Sequence, residues 1–332
     1  MKVFNYIIVL SVCVCMALFL HQTDFRSVLH TLYTVGYSVL MVFPITALAY
    51  YLGTLSWQVY LKDRPKKVST FRLFFIRQIG ETVGLFNPTS VVGGDLTKIY
   101  YLLRLQISER SAANSVVSSR MTMVLSQVLL STLALLWLLY HIEGTNPIEN
   151  TRPVIYLLLI ALTTIQIALF YWIYRSKGSS FSFLKETAAT TKIGRYKNKI
   201  VRTLSDLKTT FRSNKKAFFL SYLFALLHWI VGSLEFYLIL SLLGINIAMM
   251  QSVLMDMGVI LIKSVGAFIP GQIGIEELGN KVVLAAIGVQ SVTMWISISL
   301  LRRFRQLIWA AVGCIAYVFF TKQSKPPYAL SK

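Results

Sequence analysis

Six stretches of this chain are apolar over close to the length that crosses a bilayer: residues 3–20, 34–57, 115–140, 153–174, 217–243 and, more briefly, 306–320. A spanning helix needs roughly 20 such residues. Lipid offers the backbone no hydrogen-bond partner, so a chain immersed in it forms helices or a closed barrel. The short alternating segments of barrel strands are absent here. The sequence therefore predicts an all-α polytopic membrane protein with six full spans. Its charged fraction of 14% agrees, since soluble domains carry about 25%.

The charge that remains is concentrated between the apolar runs. Residues 62–72 hold five basic side chains and one acid, and residues 175–216 hold twelve basic and two acidic ones. The tail after residue 322 is basic as well, whereas 21–33 and 141–152 are weakly charged. By the positive-inside rule the basic loops and both termini belong in the cytoplasm and the weakly charged loops outside. A formal net charge of +20 placed this way implies anionic lipid rather than nucleic acid as the partner. Within 175–216, Ile193, Tyr196, Ile200, Leu204, Leu207 and Phe211 recur at steps of three and four, the pattern of an amphipathic helix lying on the membrane surface. Residues 3–20 lack a small-x-small cleavage site and read as a retained span. Cys13, Cys15 and Cys314 lie inside apolar runs and read as packing residues. The four histidines have no metal-ligand spacing, and neither a metal nor another cofactor is expected.

Two stretches interrupt the apolar pattern, and they match each other. Residues 83–95 read VGLFNPTSVVGGD and residues 265–277 read VGAFIPGQIGIEE. At an offset of 182 (270 − 88), Val83, Gly84, Phe86 and Pro88 meet Val265, Gly266, Phe268 and Pro270. The register continues without a gap through Asp95 on Glu277, Leu96 on Leu278, Leu102 on Leu284, Ser115 on Ser297 and Arg120 on Arg302. This is an internal duplication, with units near 69–140 and 251–320 in one transmembrane domain, residues 1–322, followed by a cytoplasmic tail, 323–332. Arg77, Gln78 and Glu81 make the approach to Asn87-Pro88 too polar for an ordinary span. Residues 73–105 are expected to form two half-helices that enter and leave on one side, and residues 251–301, broken at Pro270-Gly271, a second such unit. Counting spans puts copy one on the cytoplasmic face and copy two on the outer face, which makes the duplication an inverted-topology repeat of the kind found in transporters.

Each broken unit carries a candidate anion site. Gly93, Gly94 and Asp95 open a half-helix, with Lys98 one turn on, while Gly271, Gly274, Glu276 and Glu277 take the equivalent place in copy two. Glycine lets a ligand approach the backbone, and a helix N-terminus favours phosphate. The same residues also suit plain helix punctuation, with Asp95 and Glu277 as caps. Arg120 and Arg302, near the starts of their spans by hydropathy, have two readings. They snorkel to headgroups, or they pair with Glu81, Asp95 or Glu277 or with a lipid phosphate, which suits a planar two-pronged donor. His228 and Glu235 share a face at a spacing of seven. Asp256 and Lys263 have the same spacing and are expected to pair with each other. No Ser-His-Asp order and no phosphatase-like basic motif is present.

These motifs resemble a known family. Pro88 followed by GGDLTKIYYLL resembles the first conserved block of the lysylphosphatidylglycerol synthase transmembrane family, PGQIGIEE at 270–277 resembles its second, and Arg120 and Arg302 resemble its span arginines. The likeness covers most of residues 40–320. It implies movement of lipid between leaflets of the bacterial cytoplasmic membrane. The soluble aminoacyl-transferring domain of the named synthases does not follow here, so synthase activity is not expected. Lys98 stands where the family usually has Arg, and Gln272 and Glu276 replace a Gly and a basic residue.

The sequence thus supports a flippase-like transporter of a phosphate-bearing lipid, phospholipid or polyprenyl-linked. The alternatives are a membrane-embedded transferase or lipid phosphatase using Asp95 and Glu277, and a non-catalytic scaffold beside a partner enzyme of envelope lipid or glycan biosynthesis. The topology is directly testable. A cysteine at Lys199 should be shielded from a membrane-impermeant thiol reagent in intact cells, and one placed in 141–152 should react. External labelling at Lys199 would sink the proposed orientation and the inversion with it.

Overall fold

In the computed structural model, residues 33, 35–61, 68–86, 91–141, 152–174, 209–212, 214–265 and 274–323 are described. The first expected span, the surface segment over 175–208 and both termini lie outside them. The described residues contain helices and no strand. In chain order the main helices are α1 Val42–Gln58, entered through a 3-10 turn Gly36–Met41, α2 Thr70–Phe86, α3 Val91–Arg104, α4 Glu109–His141, α5 Arg152–Tyr174, α6 Lys215–Leu242, α7 Met249–Val265, α8 Ile275–Ala286 and α9 Val292–Gln323. Five are long and apolar enough to cross a membrane: Gly36–Gln58, Glu109–His141, Arg152–Tyr171, Lys215–Leu242 and Val292–Phe320. The protein is a multi-pass, all-helical membrane protein.

The second copy departs from the sequence reading at one point. The hydropathy pattern joined 278–301 into one segment and began a last span at 306. The chain instead turns at Gly288, φ 86°, and α9 runs unbroken through Arg302, Arg303 and Arg305. Three guanidiniums lower the local hydropathy enough to hide a helix. The helix survives because each has a carboxylate: Glu276 for Arg302, Glu277 for Arg303 and Glu235 for Arg305.

The order short helix, short helix, long helix occurs twice, as α2–α3–α4 and α7–α8–α9. The turn that closes the second short helix is the same in both. Ile107 N–H bonds the Leu102 carbonyl at 3.1 Å across Gln106, and Val289 N–H bonds the Leu284 carbonyl at 2.9 Å across Gly288. Both central residues have positive φ, 62° and 86°, as a Schellman ending requires. These positions are related by the offset of 182 found in the sequence.

Packing between spans cannot rely on the hydrophobic effect, because lipid is as apolar as Leu; close approach of small residues and interhelical hydrogen bonds take its place. α2 and α3 form an antiparallel hairpin around Gly80 and Gly94, where a Cβ on Gly94 would lie 2.5 Å from the Gly80 carbonyl oxygen. α7 and α8 close similarly, with Gly279 against Val259. α6 runs through the middle, touching α1, α4, α7 and α9. A hydroxyl cluster ties three of these helices: Ser221 Oγ lies 2.9 Å from Ser56 Oγ and 3.0 Å from Thr122 Oγ1. Each hairpin rests on the long helix of the other copy, α2 on α9 and α7 on α4. α5 packs on α4, sets Leu169 and Phe170 against the cluster of Tyr60, Phe211 and Phe218, and leaves Tyr156, Leu157, Ile160 and Ile167 exposed among the described residues.

The Gly80–Gly94 contact leaves no room for a side chain. Gly94→Val should abolish recovery of monodisperse protein after detergent extraction, whereas Val92→Ala, at an exposed position on the same helix, should not. Normal yield and a wild-type melting profile for Gly94→Val would show that the hairpin is not closed in this way.

Candidate functional site

Helical spacing puts the ionisable residues of each element on one face. Arg77 and Glu81 are four apart on α2, Asp95 and Lys98 three apart on α3, and His228 and Glu235 seven apart on α6, all separations that align side chains. Those faces converge on one cavity of about 320 Å³. α1 contributes Tyr50 and Gly53, α2 Arg77 and Glu81, α3 Asp95 and Lys98, α4 Arg120, α6 His228 and Glu235, α7 Asp256 and Lys263, and α9 Arg302 and Arg305. Residues from both copies of the duplication therefore line a single chamber.

The charges form two networks, one per copy. In copy one, Arg120 grips Asp95 with two bonds, Nε to Oδ2 at 3.1 Å and Nη2 to Oδ1 at 2.8 Å. Lys98 Nζ lies 2.8 Å from Glu81 and 3.2 Å from Asp95. In copy two, Glu276 is the hub. It accepts from Arg302 Nε at 2.9 Å, Lys263 Nζ at 2.9 Å and Gln306 Nε2 at 2.7 Å. Arg302 also lies 3.8 Å from Asp256 and stacks over the Phe236 ring at 4.0 Å. Arg305 Nε is 2.6 Å from Glu235, and Arg305 Nη1 donates to the Tyr50 hydroxyl at 2.7 Å.

The networks differ in access. The side chains of Glu81 and Arg120 are 44% and 36% exposed, whereas those of Arg302, Glu276 and Glu235 are each 5% exposed. Copy one therefore meets whatever fills the cavity more openly, while in copy two the Glu276 hub lies behind the cavity wall, buried in protein. His228 is buried on the same wall, its Nδ1–H donating to the Ala49 carbonyl at 2.6 Å. In the neutral ring that bond leaves Nε2 as an acceptor.

Several sequence expectations change. Asp95 is not a cap. It lies in the second turn of α3 and gives both oxygens to side chains. Glu277 is one, accepting the Gly274 N–H at 2.8 Å at the start of α8. Arg302 pairs with Glu276 instead of Glu277, which goes to Arg303. Asp256 and Lys263 do not pair with each other but with Arg302 and Glu276. Arg120 and Arg302 sit about three turns into α4 and α9, well inside their helices rather than near the starts, and neither depends on headgroups for a counter-charge. Gly93 and Gly94 lie in the first turn of α3, where the Gly93 carbonyl accepts from Thr97 Oγ1 at 2.9 Å. Asn87, Pro88, Pro270 and Gly271 lie outside the described residues. Tyr50, Arg305 and the placement of Arg77 on the cavity wall were not foreseen. The seven-residue spacing of His228 and Glu235 did mark two wall residues.

A family model described as the lysylphosphatidylglycerol synthase TM region matches residues 5–313. No curated protein and no solved structure matches the chain.

The difference in access separates the two arginines. Arg302→Ala leaves Glu276 and Asp256 short of a cation in a dry interior, a loss on the order of 3–5 kcal/mol, and should sharply lower the melting temperature and yield in detergent. Arg120→Ala removes a partly solvated pair, worth little once screened, and should melt close to wild type. Equal destabilisation by the two substitutions would contradict the division into a wet and a sealed network.

Proposed function

This chain belongs to the lysylphosphatidylglycerol synthase TM region family, and from that premise we propose that it is a flippase-like transporter carrying a phosphate-bearing lipid between leaflets. The observation that supports this reading is the shared chamber. Side chains from both repeat units line it, and its cations, six in number, outnumber its four carboxylates. Excess positive charge in a wet cavity among spans favours an anionic headgroup, and ionisable residues within a membrane domain ordinarily mark a substrate path.

The proposed mechanism uses the two networks differently. Copy two, with its dry Glu276 hub, holds α7, α8 and α9 as one body. Copy one presents Lys98, Arg120, Glu81 and Asp95 to the headgroup, and its ion pairs can exchange a carboxylate partner for a lipid phosphate. The acyl or prenyl chains stay in the surrounding lipid while the headgroup crosses inside the protein, so that no charge meets hydrocarbon. In this reading the repeat is inverted, both termini face the cytoplasm and the protein resides in the cell membrane.

Purified protein in liposomes carrying a fluorescent phospholipid or polyprenyl phosphate in one leaflet should accelerate its appearance in the other. Arg120→Ala should slow that transfer at least tenfold while remaining folded, and Arg120→Lys should recover little, because a point charge replaces a two-pronged donor. Chemical turnover of the lipid without transfer would instead favour a membrane-embedded transferase or phosphatase. Neither turnover nor transfer would leave the scaffold reading.

A further inference from the structure

The charges lining the cavity do not balance within it. Each of its four carboxylates is already held: Glu81 by Lys98, Asp95 by Lys98 and Arg120, Glu235 by Arg305, and Asp256 by Arg302. The fifth acid of the two networks, Glu276, holds Lys263 and Arg302. Five of the six lining cations are thereby accounted for. The sixth, Arg77, forms no ion pair with any described residue.

Arg77 is nevertheless built in. It is only 9% exposed. Its Nη1 donates to the Tyr50 backbone carbonyl at 3.2 Å, and its guanidinium lies 5.2 Å from the centre of the Tyr50 ring. On the same helix, Gly53 makes room for it: a Cβ there would stand 3.0 Å from both Cζ and Nη2. Neither Nε nor Nη2 bonds a described residue, and neither is among the fully buried polar atoms left without a partner. Both therefore open on the cavity that Arg77 lines. α1 thus holds one side of the guanidinium and leaves donors on the other that no described residue takes. Arg77 shares the field of Glu81 with Lys98, which holds that carboxylate directly. A desolvated guanidinium with no carboxylate in contact is costly, and its planar fork fits two oxygens of one phosphate.

We propose that Arg77, held by Tyr50 and Gly53, binds the phosphate oxygens of the lipid headgroup in the cavity, beside Lys98 and Arg120. The proposal deepens the transport reading and rests on it for the lipid as the source of the phosphate, since free phosphate offers the same oxygens.

The test is a calorimetric titration of the purified, detergent-solubilised protein with dioctanoyl phosphatidic acid, dioctanoylglycerol and inorganic phosphate. Phosphatidic acid should bind and dioctanoylglycerol should not. Losing a charge-assisted bond of this kind should make Arg77→Gln bind phosphatidic acid about 10- to 100-fold more weakly. Gly53→Ala keeps the charge but displaces it and should weaken binding in the same direction, with Arg77→Lys between wild type and Arg77→Gln. Size-exclusion profiles identify any variant that fails to fold, and the remaining variants then carry the comparison. Wild-type affinity in Arg77→Gln and Gly53→Ala would overturn the role of Arg77. Inorganic phosphate binding as tightly as phosphatidic acid, and through Arg77, would overturn the lipid as its ligand. Binding through Arg77 in a protein that moves no lipid in liposomes would overturn the transport reading and leave the anion site standing.

Discussion

A charge inside a bundle of spans needs an opposite charge or water beside it, and most of this structure follows from that requirement. Glu276 gathers Lys263, Arg302 and Gln306 from α7 and α9 onto α8. Asp95 gathers Lys98 and Arg120 onto α3. Glu276, Glu277 and Glu235 give each of the three α9 arginines a carboxylate, and Glu276 ties α7, α8 and α9 together. Small residues then let the backbones close up, as at Gly80 and Gly94, where apolar side chains alone would gain nothing over lipid.

Hydropathy and one internal comparison made much of this legible in advance. The apolar runs announced the spans because length and low charge suffice for that inference. The duplication showed because both copies keep an acid and an arginine at equal separation, and the shared turn at Gln106 and Gly288 confirms that the register has a geometric counterpart. The partner of Arg302 was misread by one residue for a concrete reason. α8 starts at Ile275 with Gly274 as its cap, and rotation of about 100° per helical residue then presents Glu276 to Arg302 while Glu277 meets both the Gly274 N–H and Arg303. The sequence alone does not show where a helix begins to that accuracy. Nor does it show which wall an Arg faces, so Arg77 read only as an interruption of a span.

The two networks also illustrate how similar chemistry serves different ends according to water. A pair that is 5% exposed on both sides holds elements together, since breaking it strands a charge. A pair whose arginine is 36% exposed is cheap to open and can trade partners with a ligand. The two arrangements stand at corresponding places of the matched sequence stretches and differ in burial.

Reciprocal packing, with each hairpin seated on the other copy's long helix, bears on how the chain enters the membrane during synthesis. The first unit leaves the ribosome long before α9 exists, so α2 must wait for its neighbour. Asp95, Lys98, Glu81 and Arg120 nevertheless all belong to that first unit and neutralise one another, as Glu276, Lys263, Asp256 and Arg302 do in the second. Apart from Arg77, the buried charges of the nascent half are thus paired while it is still sterically open. Lipid can fill the vacant seat on α2 at little cost until α9 displaces it, so insertion and assembly can proceed in separate steps.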